Sequence, residues 1–172
     1  MPVSRLRSLV VLPFVLVGLL ALSTPSTASA PPAAGHRAAA TQSSAQLRAA
    51  RIDRAVSVAV RQIGDRYRYG AAGPRAFDCS GLLNYSFRKA GFRKVPRTSD
   101  AQARWGHRVK KSHLRRGDLM FFHDGGNVYH AAIFLHRTKR GAVVMLDSQR
   151  PGTSVHRRHP WTKAWFGRSL RR

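Results

Sequence analysis

Residues 76–83 read "AFDCSGLL" and contain Cys79, the only cysteine in a chain of 172 residues. Asp78 stands where a helix N-cap belongs, and Leu82, Leu83, Phe87 and Ala90 then recur at helical spacing until Gly91 stops the pattern. The spacing predicts a helix of about twelve residues with Cys79 in its first turn. Backbone N–H groups without helical acceptors, together with the positive end of the helix dipole, favour an anion at that place. It is where a thiolate is easiest to keep. One cysteine cannot form an internal disulfide, and no tight Cys/His cluster offers a structural zinc site. Three uses for the thiol remain: an intermolecular bridge, a reactive group, or a small apolar residue in a core.

Upstream, residues 1–30 read as an export signal. Arg5 and Arg7 precede the apolar run at 9–22, and Ala28-Ser29-Ala30 gives the small-x-small cleavage pattern. The run is short for a membrane span and contains Pro13, so cleavage after Ala30 and a secreted or wall-associated product are expected. Residues 31–46, rich in Pro, Ala and Ser, read as a flexible linker. A single domain is expected over 47–172. Its first helix is marked by Ile52, Val56, Ala59, Val60 and Ile63, with Arg48, Arg51 and Arg54 on the other side and Gly64 as the stop.

The charge balance narrows the partners. Lys and Arg number 31 against seven acidic residues, all of them aspartates. Arg5 and Arg7 belong to the signal, so 22 of the 24 net positive charges stay with the exported chain. Such a charge implies an anionic partner. Outside a cell membrane the candidates are phosphate-bearing wall polymers and carboxylate-rich peptidoglycan, with no specific nucleic-acid partner. The basic residues are spread along the chain, which favours general attraction over a shaped recognition site. No P-loop, dinucleotide fingerprint or G-x-S-x-G element occurs.

The second half changes period. "GDLMFF" (117–122), "YHAAIFLH" (129–136), "AVVMLD" (142–147) and "TSVHR" (153–157) are short apolar or alternating runs punctuated by Gly, Pro and Asn. They read as an antiparallel sheet. Helices first and strands second make an α+β domain.

A nucleophilic thiol needs a base, and the base needs an orienting group. Of eight histidines, His36 falls in the linker, His156 and His159 in a basic tail-like segment, and His107 and His113 between elements. His123 ends a strand before a "DGGN" turn. His130 opens the next strand, on one face with Ala132 and Phe134, and the neighbouring alanines leave room for a helix end. It is the candidate base, although a half-buried strand-edge histidine has the same signature. Asp147, at the end of "AVVML", is the candidate orienting acid, with Asp118 as competitor; each also reads as an ordinary turn residue.

Taken in order, "YRYGAAGPRAFDCSGLLNYSF", "VPRTSDAQ", "LRRGDLMFF" and "NVYHAAIFL" resemble the NlpC-type family of papain-like cell-wall cysteine peptidases, from about Leu47 onward. The resemblance implies a papain-like α+β fold, with N-terminal helices, the Cys-bearing one included, packed on an antiparallel sheet. It further implies Cys79 as nucleophile, His130 as base and Asp147 as third residue. Tyr67 would lie beside the thiolate, and Asp78 and Ser80 would meet the free amine end of the substrate. The implied reaction is hydrolysis of the γ-D-glutamyl–diamino acid bond of peptidoglycan stem peptides, with neither metal nor organic cofactor. A monomer is expected. The third position is often histidine in that family. An aspartate there accepts the imidazole N–H and favours the imidazolium, so a tighter resting ion pair and activity at higher pH are expected. Two alternatives stand beside this reading: an amidase or acyl transferase on the same fold, and a basic, non-catalytic wall-binding module.

Overall fold

The computed structural model describes residues 33–171, so the expected signal at 1–30 lies outside the described residues. Helix α1 runs over Ala33–Val60. It therefore begins inside the segment expected to be a flexible linker. The alanines there, 38–40 among them, carry the highest helix propensity of any residue, and that preference outweighs the polar Ser and Gln beside them. After Gly64, which takes a positive φ of 98°, the short strands β1 (Arg66–Tyr67) and β2 (Ala76–Phe77) pair in parallel. Helix α2 (Cys79–Lys89) follows β2 at once, and α3 (Ser99–Gln102) is a single turn capped by Thr98.

The rest is sheet: β3 (His107–Val109), β4 (Leu119–His123), β5 (Val128–Arg137), β6 (Val143–Asp147), β7 (His156–Arg158) and β8 (Trp165–Ser169). Their order is β3-β8-β4-β5-β6-β7, with every neighbouring pair antiparallel. His107 is a strand residue rather than a loop residue. His156, in the run 153–157 that reads as a strand despite its basic surroundings, lies in β7 opposite Asp147. Strands β3 and β8 carry no clear apolar run, yet β8 joins the edge strand β3 to β4.

Apolar packing covers both faces of β4 and β5, which is why their sequences run continuously apolar instead of alternating. Against one face, α1 and α2 place Ile52, Val56, Leu82, Leu83 and Phe87 on Phe121, Ile133 and Leu146. Each of these large side chains is buried, and burying one contributes about 1.5–3 kcal/mol. On the other face Met120, Phe122, Ala132, Phe134, Met145 and Trp165 form a second cluster under the connecting loops. The start of α2 meets the start of β5 beside this second cluster, where Phe122 lies against His130.

Candidate active site

The start of α2 is built on Asp78. Its side chain is nearly buried and caps the helix by accepting from Gly81 N at 2.6 Å. The same oxygen also accepts from Ser80 Oγ and Arg97 Nη1, while the other accepts from Gly70 N at 2.9 Å and Arg97 Nη2 at 2.7 Å. Five donors converge on one carboxylate. They tie the glycine-rich turn, the first turn of α2 and the "PRTS" segment together. This pairing also raises the pKa of Arg97, chiefly through its hydrogen bond to Asp78. Gly81 is required for the fit. A Cβ there would stand 2.0 Å from the carbonyl oxygen of Ala71, which itself accepts from Asp78 N.

Cys79 is the first residue of α2, and its side chain is partly exposed. The backbone N–H groups of that turn have no intrahelical acceptors. His130 comes to it from β5. A bulge shifts the β4–β5 register between Phe122 and His123, so that His130 pairs with Phe122 while Val128 pairs with His123. Bulges re-aim side chains in this way beside functional sites. The imidazole rests against Phe122 and Trp161, with ring centroids at 5.4 and 5.2 Å. Its Nε2 lies 2.9 Å from Asp147 Oδ2. With Nε2 held by Asp147, Nδ1 is the ring nitrogen left for the cleft it shares with Cys79.

The electrostatics follow from these contacts. Burial pulls the His130 pKa down, but the Asp147 hydrogen bond and the nearness of Cys79 and of the Asp147 charge carry it up to about 9. Asp147 is fully buried at the end of β6, and its Oδ1 has no hydrogen-bond partner in the protein. Tyr67 is raised above the usual phenol range, first by burial and then by the charges of Cys79 and Asp78. It therefore remains a neutral donor close to the sulfur.

Tyr67, Asp78, Cys79, Ser80 and His130 line one cleft of about 530 Å³; Asp147 stands behind the imidazole. All six residues singled out in the sequence thus assemble around one depression. Asp118 does not take part. Its carboxylate accepts from Arg115 N and from Arg171, holding a turn at the start of β4.

Three groups escaped the sequence reading. Arg97 could have been found, since it sits within a motif already singled out. Ser148 could not: its buried hydroxyl donates to Phe77 O at 2.8 Å, joining the strand before Cys79 to the residue after Asp147, and a lone serine carries no signal of that. Nor could Gln149, which lines the cleft with its Oε1 held by Arg158. Arg158 in turn lies over Trp161, and Trp161 stacks on Phe122 at 4.4 Å.

The model of the NlpC/P60 family matches residues 64–170. The chain is 36% identical to a probable endopeptidase p60 of Listeria monocytogenes, over 65% of this chain and 22% of the relative. It is 40% identical to a probable endopeptidase of Corynebacterium glutamicum, over 56% of this chain and 44% of the relative. The chain therefore spans less than half the length of either. Among solved structures, the NlpC/p60 domain of the peptidoglycan hydrolase SagA superposes with a TM-score of 0.61 at 29% identity, over 69% of this chain and 98% of that one.

Proposed function

The chain belongs to the NlpC/P60 family, and from that premise we propose that it is a secreted cysteine peptidase that cuts peptidoglycan stem peptides at the γ-D-glutamyl–diamino acid bond. The observation that carries this reading is the lone thiol at a helix start, sharing a cleft with a histidine whose Nε2 is held by a buried aspartate.

The reacting form of the site pairs a Cys79 thiolate with a His130 imidazolium. The thiolate attacks the γ-carbonyl carbon, and the carbonyl oxygen takes up the negative charge. Backbone N–H groups at the start of α2 and the Tyr67 hydroxyl are the donors for that oxyanion. His130 then gives its proton from Nδ1 to the departing amine as the C–N bond breaks, leaving a thioester on Cys79. Neutral His130 next removes a proton from water. The hydroxide adds to the thioester, and collapse returns the thiolate and imidazolium with a free γ-carboxylate as product. Asp147 fixes the ring orientation throughout and stabilises its positive charge. Ser80 and the Asp78–Arg97 pair border the part of the cleft where the amine end of the stem peptide would lie.

An amine in place of water at the thioester would make the same site an acyl transferase. The high positive charge draws the protein to anionic wall polymers, and this attraction weakens with salt. The test compares wild type with Cys79→Ala on purified peptidoglycan and identifies released peptides by mass. Cleavage at the γ-D-glutamyl bond by wild type alone is expected. If both proteins bind wall equally and neither cuts wall or soluble stem peptides, the proposal gives way to a binding module.

A further inference from the structure

Arg108 in β3 and Arg168 in β8 are direct partners in the strand register. Like charges set opposite one another on adjacent strands are unfavourable, and no carboxylate separates these two. Both guanidinium groups lie over the ring of Phe166, at 4.1 and 5.9 Å from its centroid. Arg168 donates to Gly106 O through Nη1, whereas its Nε is buried with no partner in the protein. Burial, followed by the charge of Arg108, holds Arg168 below the usual arginine range. The aromatic ring offsets part of this cost, since a cation over an aromatic face gains about 0.5–2 kcal/mol. An anion between the two arginines would offset the remainder.

The pair lines a depression of about 320 Å³ together with Asp100, Arg104, His123 and Val128. Its one carboxylate, Asp100, is already held by Arg104 at 2.6 Å. Val128 is the connecting wall, because it also lines the cleft that contains Cys79. Its carbonyl oxygen accepts from Ser99 Oγ at 2.9 Å, and Ser99 lines that cleft too. A chain leaving the cleft over Val128 therefore runs onto an arginine pair with no internal counter-charge.

We infer that Arg108 and Arg168, set across Phe166, form a substrate subsite for a carboxylate of the peptide segment that passes Val128. This deepens the proposed peptidase function and rests on it. It also changes how the basic composition is understood: part of the charge discriminates between substrates at close range, in addition to general attraction.

The test uses the whole protein and two soluble stem peptides identical except that the C-terminal carboxylate is free in one and amidated in the other. Wild type is expected to favour the free acid by about tenfold in kcat/KM, the scale of one charge-assisted contact. Arg108→Ala and Arg168→Gln are expected to bring that ratio close to one, mainly through KM, and Arg108→Glu to turn it in favour of the amide. Arg93→Ala, at a separate depression lined by Arg48, Arg51 and Trp105, should keep the wild-type ratio and controls for net charge. The same ratio in wild type and Arg108→Ala overturns the inference. So does loss of retention on phosphate-bearing wall polymer with the ratio unchanged, which would assign the pair to that polymer. If wild type cuts neither peptide, the peptidase reading fails instead. Calorimetric binding of the two peptides to Cys79→Ala then decides the subsite alone, equal affinities counting against it.

Discussion

Two buried aspartates flank the candidate nucleophile and base, and they are treated in opposite ways. Asp78 spends both oxygens on five donors from three chain segments. Asp147 spends one oxygen on His130 and leaves the other buried without a partner. An unspent acceptor of that kind costs about 1–3 kcal/mol. A carboxylate placed for stability alone would not be left so. The contrast separates a clamp, which holds the helix start in position, from a tuning group, which keeps one imidazole charged.

Four substitutions probe the contrast, in order of their expected effect on stability. Gly81→Ala forces a methyl group into the Ala71 carbonyl beneath the clamp. A loss of about 3 kcal/mol is expected, with Tm lower by about 10 °C in a thermal melt. Asp78→Asn follows, at about 2 kcal/mol, the discount reflecting an Arg97 side chain that is 39% exposed. Denaturant titration should give the same loss at pH 7 and at pH 9.5, since no imidazole depends on the clamp.

Asp147→Asn should behave differently. The His130 pKa is raised in the folded state, so its contribution to stability is complete below pH 6.5 and disappears as pH rises through about 9. The variant is therefore expected to be less stable than wild type by about 1 kcal/mol near neutrality, with the gap closing above pH 9. Its kcat should fall about 10- to 100-fold, and the alkaline limb of the pH–rate profile should move to lower pH. An unmoved limb would show that Asp147 does not tune the ring. Ser148→Ala, the mildest change at about 0.5 kcal/mol, cuts the tie between the two aspartate-bearing segments. Because Phe77 O still accepts from Arg68 N, kcat is expected to suffer more than Tm.

The clamp was the more legible of the two in the sequence. An N-cap aspartate, a lone cysteine and an apolar stripe are local signals, and α2 begins and ends within a residue or two of where they place it. His130 and Asp147 were legible as strand-end residues, but nothing local joins positions seventeen residues apart; the hydrogen bond between them is a product of sheet register. Strands β3 and β8 were hidden for a different reason. Along β8, Trp165, Gly167 and Ser169 point inward, while Arg168 turns a core-like alternation into an apparently basic tail. The long stems of such residues can cover apolar surface while their heads stay polar, so composition misleads there. The linker expectation failed on propensity, since alanine-rich sequence costs little to wind into α1.

The position of β8 bears on when the fold can close during synthesis. Among the described residues, 165–169 supply the only strand partner of β3 and one of the two partners of β4. A nascent chain that stops short of Trp165 leaves both edges open, and contacts so distant in sequence form late and slowly. The cleft between α2 and β5 would then rest on an unfinished sheet until the last strand is made. The proposed catalytic site would be complete only once that strand is in place.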